Sequence, residues 1–221
     1  MSRISAIIPA FNEALRIGDV LRVVTSHPDI FETIVVDDGS LDTTSDVVRQ
    51  DFPSVILLRN EINCGKGASM NRGASVAHGD IFFFSDADIR ELTHEHISSI
   101  VQPVATGAYD MYIGIIERYV HWIPGILHFL PTIGGERAVT RKLWEEVPPF
   151  YKEHFRVETG LNFYAQHFGK GYGFTVLRGL DHATKEVKYG LLEGFVRRAK
   201  MIFDVCVTYI SLVARLVYLK Q

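Results

Sequence analysis

Cysteine is nearly absent from this 221-residue chain. Cys64 and Cys206 stand far apart with no zinc-type spacing, which excludes a disulfide framework and a structural metal knuckle and points to a reducing, cytoplasmic setting. An excess of positive charge is also missing: 23 Lys and Arg face 26 Asp and Glu, a net charge of −3, so the electrostatic footprint of a nucleic-acid binder is lacking. There are no internal repeats, no low-complexity tracts, and neither a Gly-x-x-x-x-Gly-Lys-Ser/Thr loop nor a Gly-x-Gly-x-x-Gly fingerprint. The apolar run before Pro9 is too short for a signal peptide. Near the C-terminus, Asp204 and Arg215 limit the uninterrupted apolar run to Val205–Ala214. Such a run makes about 15 Å of helix, too short for a ~30 Å hydrocarbon core.

What is present is a core-forming composition, 47% hydrophobic, arranged in alternation. Short apolar runs at Ile4–Ile8, Thr33–Val36, Val55–Leu58 and Ile81–Phe84 predict buried strands. Segments with helical spacing at Leu15–Ser26, Thr43–Gln50 and Gly67–Ala77 lie between them. Strand and helix in alternation predict an α/β fold, a mostly parallel sheet with helices on both faces. Further strands are expected at Met111–Ile116 and Gly173–Leu177, and helices at Thr140–Glu146, Glu158–Phe168 and Leu191–Leu219, with a loop or short-helix region over Arg118–Gly135. The division this suggests is a domain over 1–190, with a nucleotide-binding half to residue 110 and an acceptor half beyond it, followed by a C-terminal helical element over 191–221.

In a parallel sheet the residues directly after each strand meet the ligand. Here they are Pro9-Ala10-Phe11-Asn12-Glu13, Asp37-Asp38-Gly39-Ser40, Asn60 through Gly67, and Asp86-Ala87-Asp88. Two acidic pairs and Lys66, set between glycines, share that rim. Carboxylates one residue apart can approach one hard cation such as Mg2+ or Mn2+ together with a diphosphate, and Lys66 with the amides opening the next helix can neutralise phosphate oxygens. Each pattern alone also reads as a turn or a helix cap; their shared position favours a site.

These residues, in this order, resemble the family 2 glycosyltransferases of GT-A fold, most closely dolichol-phosphate mannose synthase and related bacterial enzymes. The resemblance covers residues 4–90 and continues more thinly through Gly134-Gly135-Glu136-Arg137-Ala138 and Glu158-Thr159. It implies that Pro9, Ala10, Asn12 and Glu13 wrap the nucleotide, that Asp37 and Asp38 read base and ribose, and that Lys66 with Gly67 lies beside base and phosphates. Asp86 and Asp88 match the metal-binding Asp-x-Asp, which holds Mg2+ or Mn2+ on the diphosphate of a UDP- or GDP-sugar. His182, after the last expected strand, stands where several such enzymes supply a late histidine ligand. Glu158 falls at the acidic acceptor-site motif, a position for the general base; a helix-start carboxylate is the plain alternative. Arg137 resembles an arginine that faces phosphate in the lipid-phosphate enzymes.

Two departures stand out. Ile89-Arg90 replaces the usual Leu-Gln after the Asp-x-Asp, and Gly135-Glu136-Arg137 replaces Gly-Phe-Arg. The acceptor read from the resemblance is a polyprenyl phosphate or glycolipid at the inner face of a membrane, with a soluble or cell-envelope glycan as the alternative. A sugar nucleotidyltransferase is the rival from another class. Arg197-Arg198-Ala199-Lys200 before the last apolar run fits a membrane-surface helix. A homo-oligomer contact and a core helix are the other two roles open to that element.

Overall fold

The computed structural model describes residues 2–117, 134–153, 156–182, 207–212, 214 and 216, with Asp181 and His182 by backbone only. A seven-stranded sheet runs β3-β2-β1-β4-β7-β6-β8. Its parallel half is β1 (Ile4–Ala10), β2 (Ile30–Asp37), β3 (Ile56–Arg59) and β4 (Ile81–Phe84). β7 (Glu136–Thr140) runs antiparallel between β4 and β6 (Met111–Ile116), and β8 (Tyr172–Leu177) closes the far edge parallel to β6. β1 and β4 are covered on both faces, which is why they read as unbroken apolar runs instead of alternating ones.

One face is packed by α1 (Ile17–Ser26) and α4 (His94–Ala105). α1 buries Ile17, Val20, Leu21 and Val24, the i, i+3, i+4, i+7 stripe of an amphipathic helix. The other face is packed by α3 (Lys66–Val76), α5 (Arg141–Glu146) and α6 (Arg156–Phe168). Gly73 lets α3 approach the sheet: a Cβ there would stand 2.5 Å from Ile7 Cγ2. α2 (Thr44–Asp51) and a 3-10 turn (Pro149–Lys152) complete the connections.

Three elements depart from the sequence expectation. α4 is one, its polar opening closed by a reciprocal cap in which Thr93 Oγ1 accepts from His96 N and His96 Nδ1 accepts from Thr93 N. β7 is another, a strand only five residues long that opens on two charged residues. The third is a two-stranded sheet of β5 (Ile89–Arg90) and β9 (Asp181–His182). The expected loop over Arg118–Gly135 lies outside the described residues except for its last two, and the expected Leu191–Leu219 helix does so in large part. Residues 207–212 are helical; Leu212 is buried with α6 while Val207, Tyr209 and Ile210 face outward. Among the described residues no helix is long and apolar enough to cross a membrane.

Candidate active site

β2 lies on one side of β1 and β4 on the other, so chain connections diverge at the carboxyl end of β1 and leave a crevice there. The walls of that crevice are fastened to each other by sheet-like bonds continuing past the strand ends: Asp38 N donates to Ala10 O (2.8 Å), Asn60 N to Asp37 O (2.8 Å) and Ser85 N to Ile7 O (3.3 Å). Pro9 and Ala10 belong to β1 itself.

The loop after β1 is tied to the loop after β2. Asn12, held at φ 56°, donates its backbone N–H to Ser40 Oγ (2.9 Å), and its side-chain oxygen accepts from Leu41 N (2.8 Å). Glu13 N donates to Thr44 Oγ1 (2.8 Å), and its carboxylate pairs with Arg16 at 2.8 Å. Asp37 has no exposed surface; it accepts from Ser40 N (2.8 Å) and Ser45 Oγ, with Arg59 3.6 Å away. Asp38, also buried, accepts from Asn60 Nδ2 (2.6 Å), Cys64 N (2.9 Å) and Gly65 N (2.7 Å). In this structure the acidic pair clamps the loops after β2 and β3, while the loop after β1 is fastened through Ser40, Leu41 and Thr44.

Gly65, at φ 92°, turns that clamped loop into α3, whose first residue is Lys66; Gly67 is buried in the same turn. Lys66 carries the ammonium at the centre of the crevice. Its Nζ lies 2.6 Å from Asp86 Oδ1, after β4, and 3.6 Å from Glu158 Oε1, in the first turn of α6. Burial opposes its charge, but Asp86, Glu158 and Glu136 outweigh that and hold its pKa above the ordinary lysine value. Arg137 and Glu136 open β7 and are both buried. Burial pushes the Arg137 guanidinium downward against the pull of Glu158, Asp86 and Glu136. Its Nε and Nη2 donate to Gly134 O (3.2 and 2.6 Å), while buried Nη1 has no hydrogen-bond acceptor among the described residues. Thr159 Oγ1, beside Glu158, is likewise buried without a hydrogen-bond partner among the described residues.

The chemistry of this donor set suits a hard divalent cation. Asp86 and Asp88 are partly exposed carboxylates two residues apart, and Asp86 already holds a cation, the Lys66 ammonium. Among the described residues no group of three or more His, Cys, Asp or Glu is arranged to hold a metal by itself. Two carboxylates completed by substrate phosphate oxygens is the arrangement Mg2+ commonly takes. The β5–β9 register pairs Ile89 with His182, so the backbone of His182 lies one strand spacing from the residue after Asp88.

Pattern reading brought Lys66, Asp86, Arg137 and Glu158 onto the candidate list, and the fold draws these four into one cluster. It gave no role of their own to Glu136, Gly135 and Thr159, quoted only within motifs, or to Asn60, named only as the start of a strand-end segment. Glu136 was visible only as an oddity in its motif, and Gly135 only as one glycine of a pair. The space beside Gly135 is filled by Asp86: an added Cβ would stand 2.7 Å from Asp86 Cγ.

A mostly parallel seven-stranded sheet with a carboxylate- and lysine-lined crevice at its switch point defines the GT-A class of fold. Crystal structures of glucosyl-3-phosphoglycerate synthase from Mycobacterium tuberculosis share it. The complex with Mn2+, uridine-diphosphate-glucose and phosphoglyceric acid superposes with a TM-score of 0.78 at 21% identity, covering 96% of this chain and 79% of that one. The complex with Mg2+ and uridine diphosphate gives 0.73 at 21% identity over 92% of this chain and 79% of that one. The chain belongs to glycosyl transferase family 2, whose profile matches residues 5–180. Among its curated relatives, a 4,4'-diaponeurosporenoate glycosyltransferase of Staphylococcus haemolyticus is 34% identical over 126 residues, 55% of this chain and 33% of the relative. A dolichyl-phosphate beta-glucosyltransferase of Trichomonas vaginalis is 31% identical over 97 residues, 38% of this chain and 30% of the relative. The match thus spans about a third of the length of each of these two relatives. Family membership sets aside the nucleotidyltransferase alternative.

Proposed function

We propose that this protein transfers a hexosyl group from a UDP- or GDP-sugar to an acceptor, with Mg2+ or Mn2+ held by Asp86, Asp88 and His182. The observation that carries the reading is the Lys66 ammonium between Asp86 and Glu158. It joins the strand-end carboxylate of the donor side to the helix-start carboxylate of the acceptor side, so the reacting bond belongs between them. When bound, the cation supplies Lewis-acid stabilisation of the departing nucleoside diphosphate. The chain's own groups do the rest. Asn12, Glu13 and the Asp37–Asp38 clamp hold the wall against which the nucleotide lies. Lys66 and the amides opening α3 accept the diphosphate charge.

Glu158 is the proposed base. It takes the acceptor hydroxyl proton as that oxygen bonds to the anomeric carbon and the bond from this carbon to the diphosphate oxygen breaks, with inversion. For an acceptor that is itself a phosphate monoester no proton need be removed, and Arg137, whose Nη1 has no acceptor among the described residues, is the group to receive the anion. A polyprenyl phosphate or glycolipid acceptor is supported by the large apolar side chains of Leu41 and Ile62, strongly exposed on the rim loops, and by the outward Tyr209 and Ile210. These would seat the protein peripherally on the inner face of a membrane. One relative's name includes dolichyl phosphate, and one structural neighbour carries the soluble phosphoglyceric acid.

The test is a thermal-shift screen of UDP-, GDP- and dTDP-sugars with and without Mn2+, followed by turnover on polyprenyl phosphate against water-soluble acceptors. A metal-dependent rise in midpoint with a UDP- or GDP-sugar, and turnover on the lipid phosphate, is the expected result. No shift with any nucleotide would overturn the donor assignment, and turnover confined to soluble acceptors would overturn the lipid one.

A further inference from the structure

We infer that Lys66 is a built-in placeholder that competes with the divalent cation for Asp86, making metal binding conditional on the nucleotide diphosphate. The inference rests on the donor-site reading above and adds a rule for how that site is filled. Lys66 Nζ sits 2.6 Å from Asp86 Oδ1, the distance of a strong charge-assisted hydrogen bond, on the carboxylate proposed to bind metal. Two positive centres cannot share one carboxylate oxygen at contact without strong repulsion. Asp86 Oδ2 lies against Gly135, so a cation arriving at Oδ1 must move the ammonium.

Lys66 has somewhere to go. Glu158 Oε1 lies 3.6 Å from the same nitrogen, so a small change of side-chain torsions exchanges one carboxylate for another without returning the charge to bulk water. The side chain is about a quarter exposed, which leaves it room to swing. The local charge explains why the ammonium is needed while the donor is absent. Asp86, Glu136 and Glu158 all act on both Lys66 and Arg137, so among the described residues three carboxylates face two cations here, and removing Lys66 shifts that balance further towards negative charge. A bare cation gains Asp86 only by breaking that pair. A cation arriving with a diphosphate brings anionic oxygens that receive the displaced ammonium, so the two ligands assist each other.

The experiment reads Mn2+ binding directly, by calorimetry and by the paramagnetic resonance signal of free Mn2+, with UDP or GDP absent or present. Wild type is compared with Lys66→Met, Lys66→Arg and the double variant Lys66→Met, Asp86→Asn. Lys66→Met should bind bare Mn2+ tighter than wild type by about tenfold or more, and the assistance between Mn2+ and nucleotide should shrink by a similar factor. Lys66→Arg, which keeps the charge, should stay near wild type, and the double variant should lose the gain. Thermal unfolding checks that each variant folds, and Mn2+ alone should raise the midpoint of Lys66→Met more than that of wild type. Bare-Mn2+ affinity that is unchanged or weaker in Lys66→Met, or a gain that survives Asp86→Asn, would overturn the proposal. If neither nucleotide binds any variant, the donor reading fails by itself, because the bare-metal arm still reports the competition.

Discussion

Gly135→Ala is the most economical probe of the crevice, because Gly135 touches the machinery through space alone. Its φ does not lie in the left-handed region, so alanine brings no backbone strain there. The added Cβ would stand 2.7 Å from Asp86 Cγ and closer still to Oδ2, where ordinary contact begins at 3.4 Å. The carboxylate, or the turn carrying Gly135, must retreat by the order of 1 Å, the scale of misplacement that lowers turnover about 100-fold. Global stability should fall by only about 1–3 kcal/mol, the usual range for overpacking, which for a chain of this size is a midpoint shift of roughly 2–12 °C. The assay is donor-sugar kcat/KM with a Mn2+ titration, run beside thermal unfolding. Gly171→Ala is the control: its φ of +83° strains an alanine, yet nothing lies within 4 Å, so it should lose stability and keep activity. A Gly135→Ala enzyme within threefold of wild-type kcat/KM and unchanged in Mn2+ dependence would refute the placement of Asp86 as a cation-holding group pressed against this glycine.

Three further outcomes follow from the same geometry. Asp88→Ala should abolish metal-dependent transfer, and turnover retained at saturating Mn2+ would sink the metal assignment. Glu158→Gln should lower kcat by about 10²–10⁴ on a hydroxyl acceptor with donor binding retained, but far less on a phosphate acceptor, so rates on the two acceptors separate base catalysis from positioning. His27, buried between α1 and α4, has its pKa lowered from 6.5 chiefly by burial, with Asp29 pulling the other way. A histidine depressed in the folded state contributes stability above its unfolded value and loses it as pH falls. Unfolding midpoints should therefore decline as pH drops below about 6.5, and His27→Leu should flatten that decline; an equally steep decline in the variant would rule His27 out as its source.

The inner strands were legible because they are largely buried and write themselves as apolar runs: Ile81–Phe84 and Met111–Ile116 were read at their observed bounds. β7 was not, because two of its five residues are charged, and the opposite charges that face Glu136 and Arg137 come from the turn after β4, α3 and α6, which no local pattern contains. α4 was missed for a related reason. Its opening turn is polar and it carries Pro103, and its cap uses a histidine where a glutamate or glutamine is usual. The pairing of His182 beside Ile89 is a fact of topology, two residues against two across a separation of more than ninety positions, and spacing along the chain carries no trace of it.

The acidic pair shows how a motif can mark a strand end while leaving the work of each residue unstated. Asp37 and Asp38 follow β2 on the ligand rim, as the pattern requires, yet the structure spends both carboxylates on the protein's own N–H and O–H groups. Four of those five donors lie on loops, Ser40 after β2 and Asn60, Cys64 and Gly65 before α3, and the fifth, Ser45, is in the first turn of α2. Gly65 is the residue that aims Lys66, so the orientation of the ammonium at Asp86 depends on Asp38, two loops away, holding the Gly65 amide at 2.7 Å. A buried carboxylate with three donors is strongly committed to one geometry, because withdrawing it would leave three N–H groups to find new partners. The wall proposed to meet the nucleotide is thereby fastened by the protein's own bonds, and the Lys66 ammonium between Asp86 and Glu158 is the group that the proposed ligands would move.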